Sequence, residues 1–279
     1  MLVKSPLIYQ GNKHGLIETL LPLMPTGLHA YDMFGGSGAV SASMQASGLF
    51  KSVTYVELNY NTESMVRVLS ETPASKTLNK IKHYMRKFEL DKTNVAGYER
   101  LRAEVNRTRC PLGFWLLTRH AHSNLTRFNR KGEFNVSFGN RSISHRMDVV
   151  ESEVNEFRHA MQDVNIVGNH YANVLNGLSP ARARNSFFYF DPPYLASGAH
   201  AYGSWTEEDD RKLMSNLDRL NSVNGKWMLS NVLRHRHYEN LPLIKWSKKY
   251  KTEHTCKVYN FANAQDDSYG TQEVIITNY

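Results

Sequence analysis

The sequence predicts an α/β fold that contains half of a dinucleotide-type binding unit and is interrupted by an inserted helical module. Three observations predict it. A strand-like run from Ala30 to Phe34 turns through Gly35-Gly36-Ser37-Gly38 into a helical stretch, Ala39 to Ala46, that Gly48 closes. A second strand, Lys51 to Val56, follows and ends at Glu57, completing half of a dinucleotide-type binding unit. The pattern breaks from about residue 61 to 156 and resumes after 157, where the apolar run Phe187-Phe188-Tyr189-Phe190 ends at Asp191-Pro192-Pro193-Tyr194. The expected layout is therefore one unit built from 1–60 and 157–279, with 61–156 inserted.

The remaining elements follow in order. Tyr9-Gln10-Gly11-Asn12-Lys13 is turn-like, and Leu16, Ile17, Leu20 and Leu21 supply the apolar face of a helix. In the insert, Met65, Val68 and Leu69, then Ile81, Met85 and Phe88, recur at helical spacing. From Arg119 to Arg146 basic residues mix with aromatics and glycines. Glu133 to Phe138 alternates like a strand between Lys131-Gly132 and Gly139, which predicts a basic hairpin. Thr206 is a good N-cap, with Glu207, Glu208 and Asp209 in the first turn. Leu213, Leu217 and Leu220 give that helix its core face, and Gly225 ends the segment. Trp227 to Ser230 and Glu273 to Thr277 read as further strands.

Composition narrows the function classes. The 279 residues are 41% hydrophobic, ordinary for a globular chain with a real core. A formal charge of +8 favours a polyanionic partner, nucleic acid ahead of an acidic membrane surface. Cys110 and Cys256 lie far apart and fit no zinc pattern, so two free thiols are expected. Met1 to Gln10 lacks the apolar core of a signal peptide, and no run has the length to cross a bilayer. The expectation is a soluble, cytoplasmic protein, monomeric in solution, that uses no metal. His235 with His237, and His120 with His122, read as surface basic patches rather than metal pairs.

Three motifs carry chemistry. Glycines between a strand and a helix N-terminus let a ligand approach the backbone closely, although a tight turn alone would also explain them. The spacing departs from Gly-x-Gly-x-x-Gly and no Gly-Lys-Ser/Thr follows, which counts against a nicotinamide dehydrogenase and a P-loop NTPase. Glu57, about twenty residues on, is placed to accept hydrogen bonds from both ribose hydroxyls of an adenosine-bearing cofactor. Asp191 ends a buried strand at the edge where open α/β sheets bind ligands. Its carboxylate can accept one hydrogen bond from an exocyclic amine, the Pro192 carbonyl the other, and Tyr194 can stack on the ring. Together they suit the modification of an amino group on a flat, nitrogen-bearing ring.

On these residues the chain resembles the Dam-type DNA adenine methyltransferases, particularly those of T-even phages. Tyr9 to Lys13 looks like the family's N-terminal cofactor motif, Phe34 to Gly38 like its Phe-x-Gly-x-Gly motif, and Asp191 to Tyr194 like its catalytic motif. Asn129 to Gly139 resembles its recognition hairpin, and Trp246 to Tyr250 also looks phage-like. The resemblance implies the Rossmann-like class I methyltransferase sheet of seven strands, mostly parallel, S-adenosylmethionine as cofactor, and the N6 amine of an adenine in double-stranded DNA, within GATC, as acceptor. It implies that Tyr9, Lys13, Glu57 and Asp191 contact the cofactor, with Phe34, Gly36 and Gly38 beside it.

The resemblance also implies base flipping, with Asp191, Pro192 and Tyr194 gripping the extruded adenine. Ser123-Asn124-Leu125-Thr126-Arg127 is similar to the segment that reads bases. Arg127 would donate two hydrogen bonds to a guanine edge and Leu125 would fill the gap left by flipping. Arg141 would contact a base or a phosphate. The chain departs from the family in two places: Ser137 stands where a proline usually precedes Phe-Gly, and Glu57 stands where phage relatives carry Asp. A cytosine-N4 methyltransferase needs the same grip on an amine, and an inactive DNA-binding protein that masks sites is the alternative from another class.

Overall fold

The protein's structure is a computed structural model that describes residues 2–11, 13–140, 146–195, 205–254 and 270–279. Asn12, Arg141 and Cys256, singled out above, lie outside the described residues. The strands are β1 (His29–Asp32), β2 (Ser52–Glu57), β3 (Asn165–Gly168), β4 (Ser186–Phe190), β5 (Lys226–His235), β6 (Tyr238–Glu239), β7 (Lys251–His254) and β8 (Gln272–Thr277). The helices are α1 (Ile17–Leu20), α2 (Ala39–Ser47), α3 (Tyr60–Glu71), α4 (Ala74–Lys87), α5 (Val95–Thr108), α6 (Pro111–His120), α7 (Met147–Ala160), α8 (Tyr171–Asn176), α9 (Pro180–Arg184), α10 (Glu207–Ser222) and α11 (Leu241–Ser247).

The sheet runs β3-β2-β1-β4-β5-β8-β7, with the two-residue β6 paired to β5 off this path. Among the described residues the expected seven strands are those of the path, and β6 makes an eighth. β3, β2, β1, β4 and β5 are mutually parallel, while β8 is antiparallel to both β5 and β7. The strand order reverses at β1, which pairs with β2 on one side and β4 on the other. Such a switch point opens a crevice at the carboxyl ends of the strands.

Alternation along β4 builds the two faces. Phe187 and Tyr189 join one apolar cluster, Phe188 and Phe190 the other, and all four are fully buried. A strand covered on both faces must be apolar at every position, which is what Phe187 to Phe190 is. One face carries α2 and α3 to α7, whose buried residues, among them Met65, Leu101, Trp115 and Phe157, continue into that face's cluster. The other face carries α8 to α11, with Leu213, Leu217 and Leu220 of α10 buried as expected. Thr206 caps α10 through a reciprocal capping box with Asp209.

Three local expectations are corrected. The apolar segment at Leu16 to Leu23 holds only the four-residue α1 between two 3₁₀ turns, because Pro22 supplies no backbone donor. Glu133 to Phe138 is not a regular strand: among the described residues its bridges are the isolated Phe128↔Phe134 and Ala121↔Phe138. Its backbone bonds partly within the ribbon, as Asn135 N–H to the Arg127 carbonyl and Asn129 N–H to the Glu133 carbonyl, and partly to the helices. Asn106 of α5 bonds both the N–H (2.7 Å) and the C=O (3.1 Å) of Phe134, and Tyr98 donates to the Val136 carbonyl at 3.0 Å. Finally, His120 is not a surface residue. It is fully buried at the end of α6, with Nδ1 3.0 Å from the Leu116 carbonyl.

Candidate active site

The ends of β1 and β4 lie side by side, with Asp32 opposite Tyr189 in register. Two carboxylates, Asp32 and Asp191, therefore meet at the switch point. They open into a cleft of about 830 Å³ whose walls include Glu57, Lys13 and Glu273.

The glycine loop forms the floor. Gly35 is held by its N–H to the Val56 carbonyl, 2.8 Å. A Cβ there would stand 2.2 Å from the Tyr55 ring, so only glycine fits. Tyr55 in turn donates to the Gly36 carbonyl at 2.8 Å. Gly38 has φ +77°, a left-handed conformation that suits glycine. Tyr9 packs over Gly36, and a Cβ on Gly36 would meet the Tyr9 ring at 3.3 Å.

Glu57 is fixed by backbone donors. Oε2 accepts from Gly36 N (3.0 Å) and Oε1 from Asn59 N (2.7 Å). Burial pushes its carboxyl above the usual range, and the backbone hydrogen bonds oppose that shift. The same side chain thus ties the glycine loop to the end of β2 and presents its remaining lone pairs to the cleft.

Asp191 stands at the centre of a polar cluster. Its Oδ1 is 2.9 Å from Lys13 Nζ and accepts from the Tyr194 hydroxyl at 2.7 Å. Glu273, on β8, is the cluster's second carboxylate: its Oε1 is 3.3 Å from the Tyr194 hydroxyl and 3.8 Å from Lys13 Nζ. Lys13 also lies over the Tyr194 ring, 4.9 Å from its centroid, so one ring face is covered by an ammonium. Burial, with Asp191 and Glu273 alongside, holds the Tyr194 phenol well above its ordinary pKa, so it remains a donor.

Sequence reasoning passed over three cleft residues. Asp32 is 1% exposed; Ser41 donates to its Oδ2 at 2.7 Å, while Oδ1 is buried with no hydrogen-bond partner among the described residues. Burial raises its pKa to about 7, with the charges of Asp191 and Glu57 adding to the rise and Ser41 opposing it. Glu273 was read only as a strand residue, yet a charged side chain opening an otherwise apolar strand, Val274-Ile275-Ile276, was a signal. His235 is a cleft wall rather than a surface patch, with Nδ1 2.6 Å from Thr271 Oγ1. Burial, then Arg236, lowers its pKa.

An aromatic wall faces the acids. Phe34 lies 5.1 Å from Tyr171 and 5.7 Å, edge-on, from Trp205, and all three line the cleft. The charges are distinctive in a chain of net +8: the cleft holds Asp32, Glu57, Asp191 and Glu273 against Lys13 and Arg130. An acid-lined pocket with an aromatic wall suits a small ligand that is cationic and partly planar.

The segment expected to read bases adjoins this cleft. Thr126, Phe128, Asn129, Arg130 and Gly132 line it. Asn61 of α3 and Arg109 hold the Gly132 carbonyl, which seats the turn beside the α3 N-terminus. Ser123 and Asn124 are consecutive left-handed residues, φ +52° and +51°, a strained pair of the kind that clusters at functional sites. Ser123, Arg127 and Ser137 are exposed, and Leu125 is half-buried against the core. Arg127 is bonded within the ribbon: Nε donates to Asn135 Oδ1 (2.9 Å) and Nη2 to the Asn135 carbonyl (3.2 Å). Among the described residues no cluster of His, Cys, Asp and Glu is arranged to hold a metal, and no helix is long and apolar enough to cross a membrane.

Residues 9–265 match the family described as D12 class N6 adenine-specific DNA methyltransferase. The chain is 28% identical over 285 residues to the type II methyltransferase M.FokI of Planomicrobium okeanokoites, and 29% identical over 289 residues to the modification methylase StsI of Streptococcus sanguinis. Each alignment covers 99% of this chain but 43% of the relative, so the chain spans less than half the length of those proteins. It is also 26% identical over 201 residues to the DNA adenine methylase of Escherichia coli K12, covering 70% of this chain and 66% of that one.

Proposed function

The chain belongs to the D12 class N6 adenine-specific DNA methyltransferase family, and from that premise we propose that it transfers a methyl group from S-adenosylmethionine to N6 of a flipped adenine in duplex DNA. The observation that carries this reading is the convergence of Asp191 and Tyr194, the glycine loop and Glu57 on one cleft beside the ribbon. S-adenosylmethionine, when bound, supplies a methyl already activated on a sulfonium, so the protein's task is alignment.

The residues fit that cofactor. Glu57 would accept from the ribose hydroxyls, the loop at Gly36 and Gly38 would let the chain pass close to the backbone, and Tyr9 and Phe34 would flank it. The buried Asp32 Oδ1 is an acceptor awaiting a donor, and the cofactor's amino group is one. The excess of acid in the cleft complements a ligand that carries two positive centres.

Asp191 and the Pro192 carbonyl would accept the two N6 hydrogens and so aim the nitrogen lone pair. Tyr194 would offer the ring face opposite Lys13 to the base, a stack worth about 1–3 kcal/mol. That repays part of the few kcal/mol needed to extrude the base. The exposed ribbon residues Ser123, Arg127 and Ser137, with the half-buried Asn124 and Leu125, would meet the duplex, and the basic exterior would supply phosphate contacts.

Transfer of label from S-adenosylmethionine to unmethylated duplex, followed by nucleoside analysis, tests the reading. N6-methyladenine is expected, with loss of transfer but not of DNA binding in Asp191→Ala. N4-methylcytosine as the sole product, or sequence-selective binding without transfer, overturns it. Methylation-sensitive digestion of the same product tests GATC as the target, the sequence that the ribbon's resemblance supports.

A further inference from the structure

We propose that Glu273 is a positioning residue of the transfer site, a second carboxylate that takes the Tyr194 hydroxyl and the Lys13 ammonium from Asp191 when the substrate amine enters. The inference rests on the reading of Asp191 as the acceptor of that amine. Asp191 Oδ1 is engaged twice, by Tyr194 at 2.7 Å and Lys13 at 2.9 Å. Those two donors take both lone pairs of Oδ1, so an amine reaches that oxygen only when they move.

Glu273 is where they can go. Its Oε1 faces the same two groups at 3.3 and 3.8 Å, distances that a side-chain rotation closes. A phenol has one proton and donates to one carboxylate at a time, so Tyr194 chooses between Asp191 and Glu273. Glu273 is only 5% exposed, and β5 holds its backbone in register opposite Val232. It is therefore a fixed acceptor whose burial makes each bond to it strong. Tyr194 and Lys13 then lie between two seats, one beside the substrate and one away from it. Moving them to Glu273 frees Asp191 Oδ1 for the amine while both donors stay satisfied.

The experiment measures methyl transfer to unmethylated duplex by the wild type, Glu273→Ala, Glu273→Gln, Tyr194→Phe and the Glu273→Ala/Tyr194→Phe double variant. Glu273→Ala is expected to lower kcat about 10- to 100-fold with cofactor and DNA dissociation constants little changed, because misplacement costs turnover rather than binding. Glu273→Gln, which can still accept from the phenol, falls between. Adding Tyr194→Phe to Glu273→Ala is expected to restore part of kcat, since the hydroxyl that would block Asp191 is gone. A merely structural role predicts no such recovery. Should Glu273→Ala not fold, the same cycle is run with Glu273→Gln. Unchanged kcat in the Glu273 variants, or equal losses with and without the Tyr194 hydroxyl, overturns this proposal alone. A wild type that transfers no methyl removes the functional reading and this proposal with it.

Discussion

Lys13 Nζ lies 2.9 Å from Asp191 Oδ1, and both groups are largely withdrawn from solvent, at 7% and 15% side-chain exposure. The ammonium comes from the turn before α1 and the carboxylate from the loop after β4. Their pairing locks the N-terminal segment over the switch point of the sheet. Lys13→Met would leave Asp191 and Glu273 facing each other without a cation. Breaking such a buried pair from one side costs about 3–5 kcal/mol. The expected outcome is a lower melting temperature and loss of cofactor binding. Lys13→Met/Glu273→Gln should regain part of the stability, because it removes one of the two stranded charges. Thermal unfolding with cofactor titration checks both.

Asp32 makes the cleft pH-dependent. Its carboxyl titrates near 3.8 in an unfolded chain and at about 7 in the fold. A raised folded pKa contributes stability that is fully present below 3.8 and is lost as pH rises to about 7. Burial raises Glu57 too, in the same sense. Asp32→Asn should therefore gain on the wild type as pH increases, by up to roughly 4 kcal/mol at pH 8. A cationic ligand favours the ionised acid, so wild-type cofactor affinity should rise from pH 6 to 8 while that of Asp32→Asn stays flatter. Denaturant melts and binding titrations across that range test it. A parallel rise in both proteins would count against Asp32 as the acceptor.

The glycine loop offers a steric test. Ala at position 35 would drive its Cβ into the Tyr55 ring, whose hydroxyl also holds the Gly36 carbonyl. Overpacking of this kind costs about 1–3 kcal/mol. Gly35→Ala should melt earlier and bind cofactor more weakly. Gly48→Ala is the control, because it adds only the strain of a left-handed φ of +68° in open space. It should lower stability by about 1–2 kcal/mol and leave cofactor affinity unchanged.

What could be read in advance divides along physical lines. Local signals fixed β1, the loop, α2, β2 and the capped α10, because glycines, caps and alternation act over a few residues. The end of β4 was legible for the same reason: Phe187 to Phe190 is apolar throughout and Asp191-Pro192-Pro193 stops it. Asp32 and Glu273 escaped because their role depends on which strands become neighbours. Asp32 reaches the cleft only because β1 pairs with β4, and Glu273 only because β8 returns antiparallel beside β5. The ribbon misled for the opposite reason. Glu133 to Phe138 alternates like a strand, but its backbone bonds to Asn106 and Tyr98, which no local pattern reveals. His120 looked like a surface residue in a basic segment, and the packing of α6 buried it.

Arg127 and Asn135 give the sharpest test of the ribbon. Asn135 accepts from the Arg127 guanidinium through both its side chain and its carbonyl, so the exposed arginine is held rather than free. Ordering a long side chain before contact lowers the entropy lost on binding. If Arg127 donates two hydrogen bonds to a guanine edge, Arg127→Ala should remove about 1–3 kcal/mol of discrimination at one base pair. Asn135→Ala keeps the arginine but loosens it. It should erode discrimination at that same base pair by a smaller amount, because the bond to the Asn135 carbonyl remains. Competition binding with singly substituted duplexes separates the possibilities. Coincident losses at one position support a guanidinium preset by Asn135 for readout. Uniform weakening over all sequences, with a shallower salt dependence, would make Arg127 a phosphate contact instead.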